Sequence, residues 1–419
     1  MRIKRLDELN KPYNIYTTVL ETEALDQFID AMQQKEVVKG ALMPDAHSGY
    51  TLPIGGVVAL KGNICPAYVG YDIGCGVCAL KTTFKKTDIK EKQNQIFDSI
   101  YELIPVGFEI NPPSKAANYS LEGLTSIGQK IASEKQHNRQ LGTLGGGNHF
   151  IEIGYDENDN VWIIIHSGSR GVGHGLATHY MKLAFINIDK MYADYDEKHQ
   201  QAKRYQNKSG YEKNRKKAID LLIKKAKADE GHHYLDVNTQ EGKDYITDLK
   251  WCLNYALENR KIMLERVMDA ILRFCYGKAK WETLINRNHN HAELKDGLWI
   301  HRKGATHAEK DMLGVIPGNM RDGCYIVKGK GNPDSLCSSS HGAGRQKSRS
   351  KAKKDLNVDV FKFQMEGIKS SASIDTLDEA PGAYKNFDDV MNNQKDLIEK
   401  LYHIKPLINI KDSGKPKYL

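Results

Sequence analysis

Apolar positions recur with a helical period over residues 22–34. They do so again over a far longer stretch, where Tyr245, Leu249, Leu253, Ala256, Leu257, Leu264 and Val267 fall on one face. The second pattern predicts a long helix packed against a core. Other apolar runs are short enough for strands: residues 57–60, residues 161–165 ending at His166, and the alternating Phe150-Ile151-Glu152-Ile153. Residues 68–80 are apolar but broken by Gly70, Gly74 and Gly76, which marks sharp bends or close backbone approach. Residues 85–140 are polar and read as mostly helical, and residues 166–174 read as a loop. Residues 176–230 are helical and crowded with Lys and Arg from 203 to 227, a basic helical insertion that is either a solvated surface or an RNA-facing one. The tail, residues 401–419, carries a short strand-like run and basic residues.

Composition narrows the class. The chain has 419 residues, 40% hydrophobic and 27% charged, as in a globular protein. No apolar stretch is long enough for a bilayer, and the basic N-terminus lacks an apolar signal region, so a cytoplasmic protein with no membrane partner is expected. Seven scattered cysteines, an odd number, suit reduced thiols and not a disulfide framework. A net charge of +8 permits nucleic acid as a partner without demanding it. There is no internal repeat. Three separated polar, glycine-rich blocks suggest loops converging on one site. The expected fold is α+β: one large interwoven catalytic domain over residues 1–419, with mixed sheets whose strands deliver ligands at their ends and helices outside.

Metal chemistry is the first candidate. Asp72 and Cys75 lie three residues apart, His149 closes a glycine block, His166 closes a strand and His289 sits in Asn286-Arg-Asn-His-Asn-His291. A carboxylate, a thiolate and several imidazoles suit Mn, Fe, Co or Zn, and a thiolate can bridge two ions. Any one of these histidines taken alone is more often a hydrogen-bonded core residue. Cys75-Gly-Val-Cys78 has no second pair, which argues against a closed zinc knuckle. The chain lacks a P-loop, and Lys295-Asp296-Gly297 lacks the spacer of a lysine-nucleotide motif. Gly145 to Gly147, Pro317-Gly318-Asn319 and Gly342-Ala343-Gly344 expose backbone N–H groups that could cradle phosphate. His341, flanked by small residues, is open enough for its imidazole to attack an activated phosphorus, with Arg345 and Arg349 available to neutralise phosphate charge.

These blocks together resemble the RtcB family of RNA ligases. The matching pieces are Met43-Pro-Asp-Ala-His-Ser-Gly-Tyr-Thr-Leu-Pro-Ile-Gly-Gly56, Gly70-Tyr-Asp-Ile-Gly-Cys-Gly76, Leu144-Gly-Gly-Gly-Asn-His-Phe150, His166-Ser-Gly-Ser-Arg-Gly171, His301-Arg-Lys-Gly-Ala305 and Ser340-His-Gly-Ala-Gly-Arg345. They stand in the family's order. The resemblance implies a GTP- and Mn²⁺-dependent ligase joining RNA 2′,3′-cyclic phosphate or 3′-phosphate ends to 5′-hydroxyl ends, as in tRNA splicing or RNA repair. It implies that His341 carries GMP. It assigns one manganese to Asp72, Cys75 and His149 and a second to Cys75, His166 and His289. The implied guanylate pocket comprises Asn148, His149, Phe150, Ile151, Glu152, His289, Asn290, Pro317, Gly318, Asn319, Met320, Cys324, His341, Gly342, Ala343, Gly344 and, near the C-terminus, Lys411. Some family members use a small activator, archease.

The sequence departs from the family in places. The usual P-G-S-M-G loop is Pro317-Gly-Asn-Met-Arg-Asp-Gly323 here, and Cys324 stands where a serine is common. With the basic insertion, these features resemble a divergent bacterial-type paralogue. Two other functions fit the same residues: a metal-dependent RNA-end phosphodiesterase or phosphatase, and an RNA-binding repair factor without catalysis.

Overall fold

Strands that are distant in sequence lie side by side in the computed structural model, which describes residues 6, 9–186, 188–205, 208–228 and 230–413. One sheet runs in the spatial order Leu313–Pro317, Cys324–Gly329, Ile398–Ile410, Phe150–Tyr155, Asn160–Ser167, Gly76–Lys85, Ile285–Asn288. Its neighbours are antiparallel, and the short Lys369–Ser370 adds in parallel to Ile398–Ile410. A five-stranded sheet orders Tyr13–Ile15, Val37–Tyr50, Leu52–Leu60, Leu298–Lys303 and Asn290–Lys295. The result is a single large α+β domain with peripheral helices. No helix among the described residues is long and apolar enough to cross a membrane. All seven cysteines are free.

The predicted long helix is Gln240–Leu272, 33 residues. Thr239 caps it, its hydroxyl accepting the Gly242 N–H at 3.2 Å. Its apolar stripe joins two cores: Tyr245, Leu249 and Tyr255 pack with Tyr68, Ile73 and Tyr180, while Met263, Leu264 and Val267 pack with Ile151, Ile153 and Ile163 beneath the large sheet. Between these halves stand two fully buried polar residues. Asn259 donates to the Thr143 and Gly168 carbonyls (3.2 and 3.0 Å). Arg260 donates to the Gly74 and Ser167 carbonyls (2.9 and 2.7 Å) and to the Asn286 and Asn288 side chains (2.7 and 2.6 Å). The helix thereby pins loops from three separate strands. Arg260→Leu should lower unfolding free energy by about 3 kcal/mol or more, because two buried carbonyls and two half-buried side-chain acceptors lose their donor; denaturant titration measures it.

The local expectations hold with one correction. Residues 85–140 are mostly helical as expected, through Lys86–Leu103, Ser126–Glu134 and His137–Gln140, although 104–125 is largely irregular, interrupted by Pro105, Pro112 and Pro113. The stretch 166–174 is not a loop throughout, since a helix, Arg170–Phe185, starts within it. Gly171, Gly173 and Gly175 lower its intrinsic propensity, and tertiary packing overrides them. Residues 68–80 begin in the short helix Pro66–Val69 before the strand Gly76–Lys85. Helix Thr22–Gln33 matches its predicted span, and the tail strand extends over 13 residues, Ile398–Ile410. Residues 414–419 of the tail lie outside the described residues.

Candidate functional site

The strand register assembles the site. Gly76 pairs with Ser167 on one side and Asn288 on the other, and Phe150 pairs with His166. Because the pairs are antiparallel, the start of one strand meets the end of the next. Cys75, His149, His166 and His289 therefore reach the same sheet edge from four separate chain segments. Gly76 is required there, since a Cβ would lie 2.1 Å from the Arg287 carbonyl oxygen. The Cys75 carbonyl accepts the His289 N–H at 2.7 Å, which fixes these two ligand candidates to each other.

All four side chains are buried, at 3–4% exposure. Cys75 Sγ lies 3.4 Å from His149 Nε2 and 3.2 Å from His166 Nε2. His166 Nε2 lies 3.2 Å from His289 Nε2, and Asp72 Oδ2 is 3.0 Å from His149 Nε2. The far nitrogens are occupied: His149 Nδ1 bonds the Leu144 carbonyl at 2.9 Å, and His166 Nδ1 the Asn148 carbonyl at 3.2 Å. That leaves each Nε2 lone pair aimed inward, the arrangement of metal-binding imidazoles. Burial drives the His166 and His289 pKa values well below normal, aided by neighbouring histidines, so both rings are neutral, the form that could bind a metal. Burial raises the Cys75 thiol, and Asp72 raises it further, so cation binding would release its proton. For Asp72, burial opposes ionisation, but bonds to His149 and Cys75 and the Arg170 charge outweigh it and lower its pKa. Cys75, His149 and His166 could hold a metal ion, with Asp72 and His289 adjacent.

A cavity of about 260 Å³ opens beside the cluster. Asp72, Cys75, Asn148, Phe150, Glu152, His166, His289, Asn290, Pro317, Gly318, Asn319, Met320, Cys324, His341, Gly342, Ala343, Gly344 and Lys411 all line it. Two expected pocket residues do not. Ile151 alternates to the opposite face of its strand and packs in the core with Ile153 and Leu264. His149 faces a second cavity of about 370 Å³, lined by Tyr71, Arg170 and His174, which shares Asp72 and Asn148 with the first. The ligand cluster thus stands between two cavities.

His341 sits 4.8 Å from His289, ring centre to ring centre. Its Nδ1 lies 2.6 Å from Asp45 Oδ2, and the same carboxylate oxygen accepts the backbone N–H groups of His341 and Gly342 at 3.1 and 3.2 Å. Gly304, at φ 61°, lets its turn approach the ring: a Cβ there would be 3.1 Å from His341 Cε1. Deeper in the cavity Glu152 accepts from Cys324 (3.3 Å) and Asn409 (3.0 Å), and burial raises its pKa to about 7.

Arg345 and Arg349 are not free for phosphate as expected. Arg345 meets Glu379 at 3.1 Å, and Arg349 meets Glu379 and Asp378, both at 2.6 Å. Lys411 Nζ joins the same carboxylate at 2.9 Å and also donates to the Asn148 carbonyl. Glu379 is buried, which opposes ionisation, but Lys411, Arg349 and Arg345 hold its pKa down to about 2. Its stabilising contribution is therefore complete above about pH 4.5 and lost as pH falls toward 2. Glu379→Gln should be less stable than the parent at pH 7, with the gap closing between pH 4.5 and 2; acid-unfolding curves of both proteins measure it.

Sequence reasoning missed Asp45, Glu379 and a second group, His291, Glu293 and His307, whose ligand atoms also lie within 4.8 Å of one another. The repeated His-x-Glu at 291–293 and 307–309 was a legible signal, since alternate residues share a strand face. Arg302 already occupies that group, donating to His291 Nε2 at 3.0 Å and pairing with Glu293.

A buried thiol-imidazole-carboxylate cluster beside a half-buried histidine and a cavity forms a candidate metal-binding active centre. The family model described as tRNA-splicing ligase RtcB matches residues 27–136 and 126–412, and the chain belongs to the RtcB family. It is 33% identical to the RNA-splicing ligases RtcB1 and RtcB of two Escherichia coli strains, over 98% of this chain and all of theirs. It is 27% identical to the tRNA-splicing ligase RtcB of Nanoarchaeum equitans, over 93% of this chain and 92% of that protein.

Proposed function

We propose that this protein joins RNA ends carrying a 3′-phosphate or 2′,3′-cyclic phosphate to 5′-hydroxyl ends through a GMP adduct on His341. The observation that carries this reading is the position of His341: its ring stands against ligand candidate His289 at the cavity wall, with Nδ1 beside the Asp45 carboxylate. An imidazole so held presents Nε2 as nucleophile, and Asp45 stabilises the positive ring formed on attack. His341 Nε2 bonds to the α-phosphorus of GTP, and the bond to the β-phosphate oxygen breaks, releasing pyrophosphate. An oxygen of the RNA 3′-phosphate then takes the guanylate, breaking the N–P bond. Finally the 5′-hydroxyl attacks the activated RNA phosphorus and GMP leaves. A cyclic end is first opened by water.

Other residues fit these steps. The Glu152 carboxylate can accept the N1–H and amino group of guanine. Although Arg345, Arg349 and Lys411 are paired with Glu379 and Asp378, three cations against two carboxylates leave a net positive field at that wall, without a direct arginine–phosphate bond. Two manganese ions, one on Asp72, Cys75 and His149 and one on Cys75, His166 and His289, would orient the triphosphate and offset its charge. The second cavity, on the Arg170 side, would receive the RNA end. We assign the enzyme to the cytoplasm, where its thiols stay reduced, and an archease-like activator is a compatible partner. Incubation with labelled GTP and Mn²⁺ should leave acid-labile label on the denatured chain. No retained label at saturating GTP would overturn the assignment.

A further inference from the structure

The chain's positive charge is concentrated. Residues 203–227 contain ten Lys and Arg against two acidic residues, a net of +8, which equals the net charge of the whole protein. The remainder is therefore balanced. A merely solvated helix usually intersperses both signs along its surface, and this one does not.

The structure explains how the charge is presented. In helix Lys208–Lys225, Tyr211, Arg215, Ile219 and Ile223 recur every four residues. Tyr211, Ile219 and Ile223 are buried, at 3%, 1% and 7% exposure. Arg215 binds Asp196 (2.6 Å) and lies 4.1 Å over the Tyr192 ring. This stripe fixes the helix rotation and turns Lys213, Lys216 and Lys217 to solvent, with exposed Lys225 and Lys227 beyond them. Glu212 is taken by Arg215 at 3.5 Å. No ion pair engages Lys213, Lys216, Lys217, Lys225 or Lys227 among the described residues.

The patch is connected to the catalytic centre. Ile219 and Ile223 pack in one core with Tyr180 and Leu183 of helix Arg170–Phe185. The opposite end of that helix supplies Arg170 and His174 to the second cavity. His174 and Leu183 are about 14 Å apart along the axis at 1.5 Å per residue. A stacked polynucleotide strand advancing about 3.4 Å per nucleotide covers that span in roughly four nucleotides.

We propose that the outer face of helix Lys208–Lys225, through Lys213, Lys216 and Lys217, is a docking surface for the phosphate backbone of the RNA body, at least about four nucleotides from the end held in the second cavity. The proposal rests on the RNA-end reading of that cavity. It makes the lysines positioning residues: they touch the substrate's backbone remote from the reacting atoms, independently of sequence.

The test compares the parent with the triple variant Lys213→Gln, Lys216→Gln, Lys217→Gln, using 5′-hydroxyl RNAs of about 20 and about 3 nucleotides. For the longer RNA, affinity at low salt should fall about ten-fold or more, and the slope of log K against log[salt] should become shallower by about 2 to 3. Binding of the short RNA and labelling by GTP should match the parent. An unchanged affinity and slope for the longer RNA would overturn the proposal. So would equal loss with both RNAs, or tighter parental binding to a polyglutamate of similar length, which would assign the face to an acidic protein. If the parent takes no label from GTP while the length-dependent loss persists, the ligase chemistry fails and the docking face stands.

Discussion

His341→Ala protein treated with GTP and Mn²⁺ should keep its unmodified intact mass, while the parent gains one guanylate. Ligation of 3′-phosphate to 5′-hydroxyl RNA should fall by at least about 10³-fold, the scale on which loss of a covalent nucleophile is felt. The reason is local. Among the histidines lining the cavity, His341 has its Nδ1 beside a buried carboxylate while its ring adjoins the ligand cluster. His166 and His289 point their Nε2 atoms at each other, 3.2 Å apart, and cannot substitute. His47 is the remaining alternative, but its Nδ1 faces the neutral Asp45 carbonyl at 2.9 Å, which stabilises a positive ring less than a carboxylate does, and burial lowers its pKa to about 4. A guanylate still attached to the Ala variant, mapped to any other residue, would show the nucleophile assignment to be wrong. Opening of cyclic phosphate by the variant at parental rate would separate that hydrolysis from nucleotide transfer.

The second large effect is expected at Cys75. Its sulfur contacts both His149 and His166, at 3.4 and 3.2 Å, so it is the atom shared by both halves of the cluster. Cys75→Ala should weaken both ions together, each by more than about 100-fold, a loss exceeding that from disturbing an outer-shell partner. His289→Ala, at the edge of the cluster, should weaken chiefly one. Metal content after desalting, set beside adduct formation, distinguishes them. A Cys75→Ala protein retaining two tight ions would eliminate the bridging role. Its fold should survive, because Arg260 and Asn259 hold the surrounding loops without the thiol.

The sequence revealed the ligand candidates for a definable reason. Cys75, His149, His166 and His289 each end a strand-like run or sit among glycines and polar loop residues, and chemistry-bearing residues at such places gather when strands pair. The long helix was legible because its apolar period runs for many turns. Other features depend on contacts that no local pattern encodes. Asp45 is one carboxylate among 53 acidic residues until the strand Val37–Tyr50 brings it under His341, nearly 300 positions away in the chain. Glu379 acquires its importance only from three cations that converge on it. Ile151 was drawn into the pocket by adjacency to Phe150 and Glu152, although the strand's two-residue alternation already assigned it to the opposite face. The helix at Arg170 was hidden by glycines that are there for close packing.

Strand Ile398–Ile410 lies inside the large sheet, between Cys324–Gly329 and Phe150–Tyr155, and Lys411 follows it into the cavity. During synthesis, therefore, Phe150–Tyr155 and Cys324–Gly329 must wait with a gap between them until Ile398–Ile410 emerges from the ribosome. Pairings of such long sequence separation close slowly. A nascent chain stalled before residue 398 would own Asp72, Cys75, His149, His166, His289 and His341 and still lack both the strand that closes the sheet and the lysine that lines the cavity.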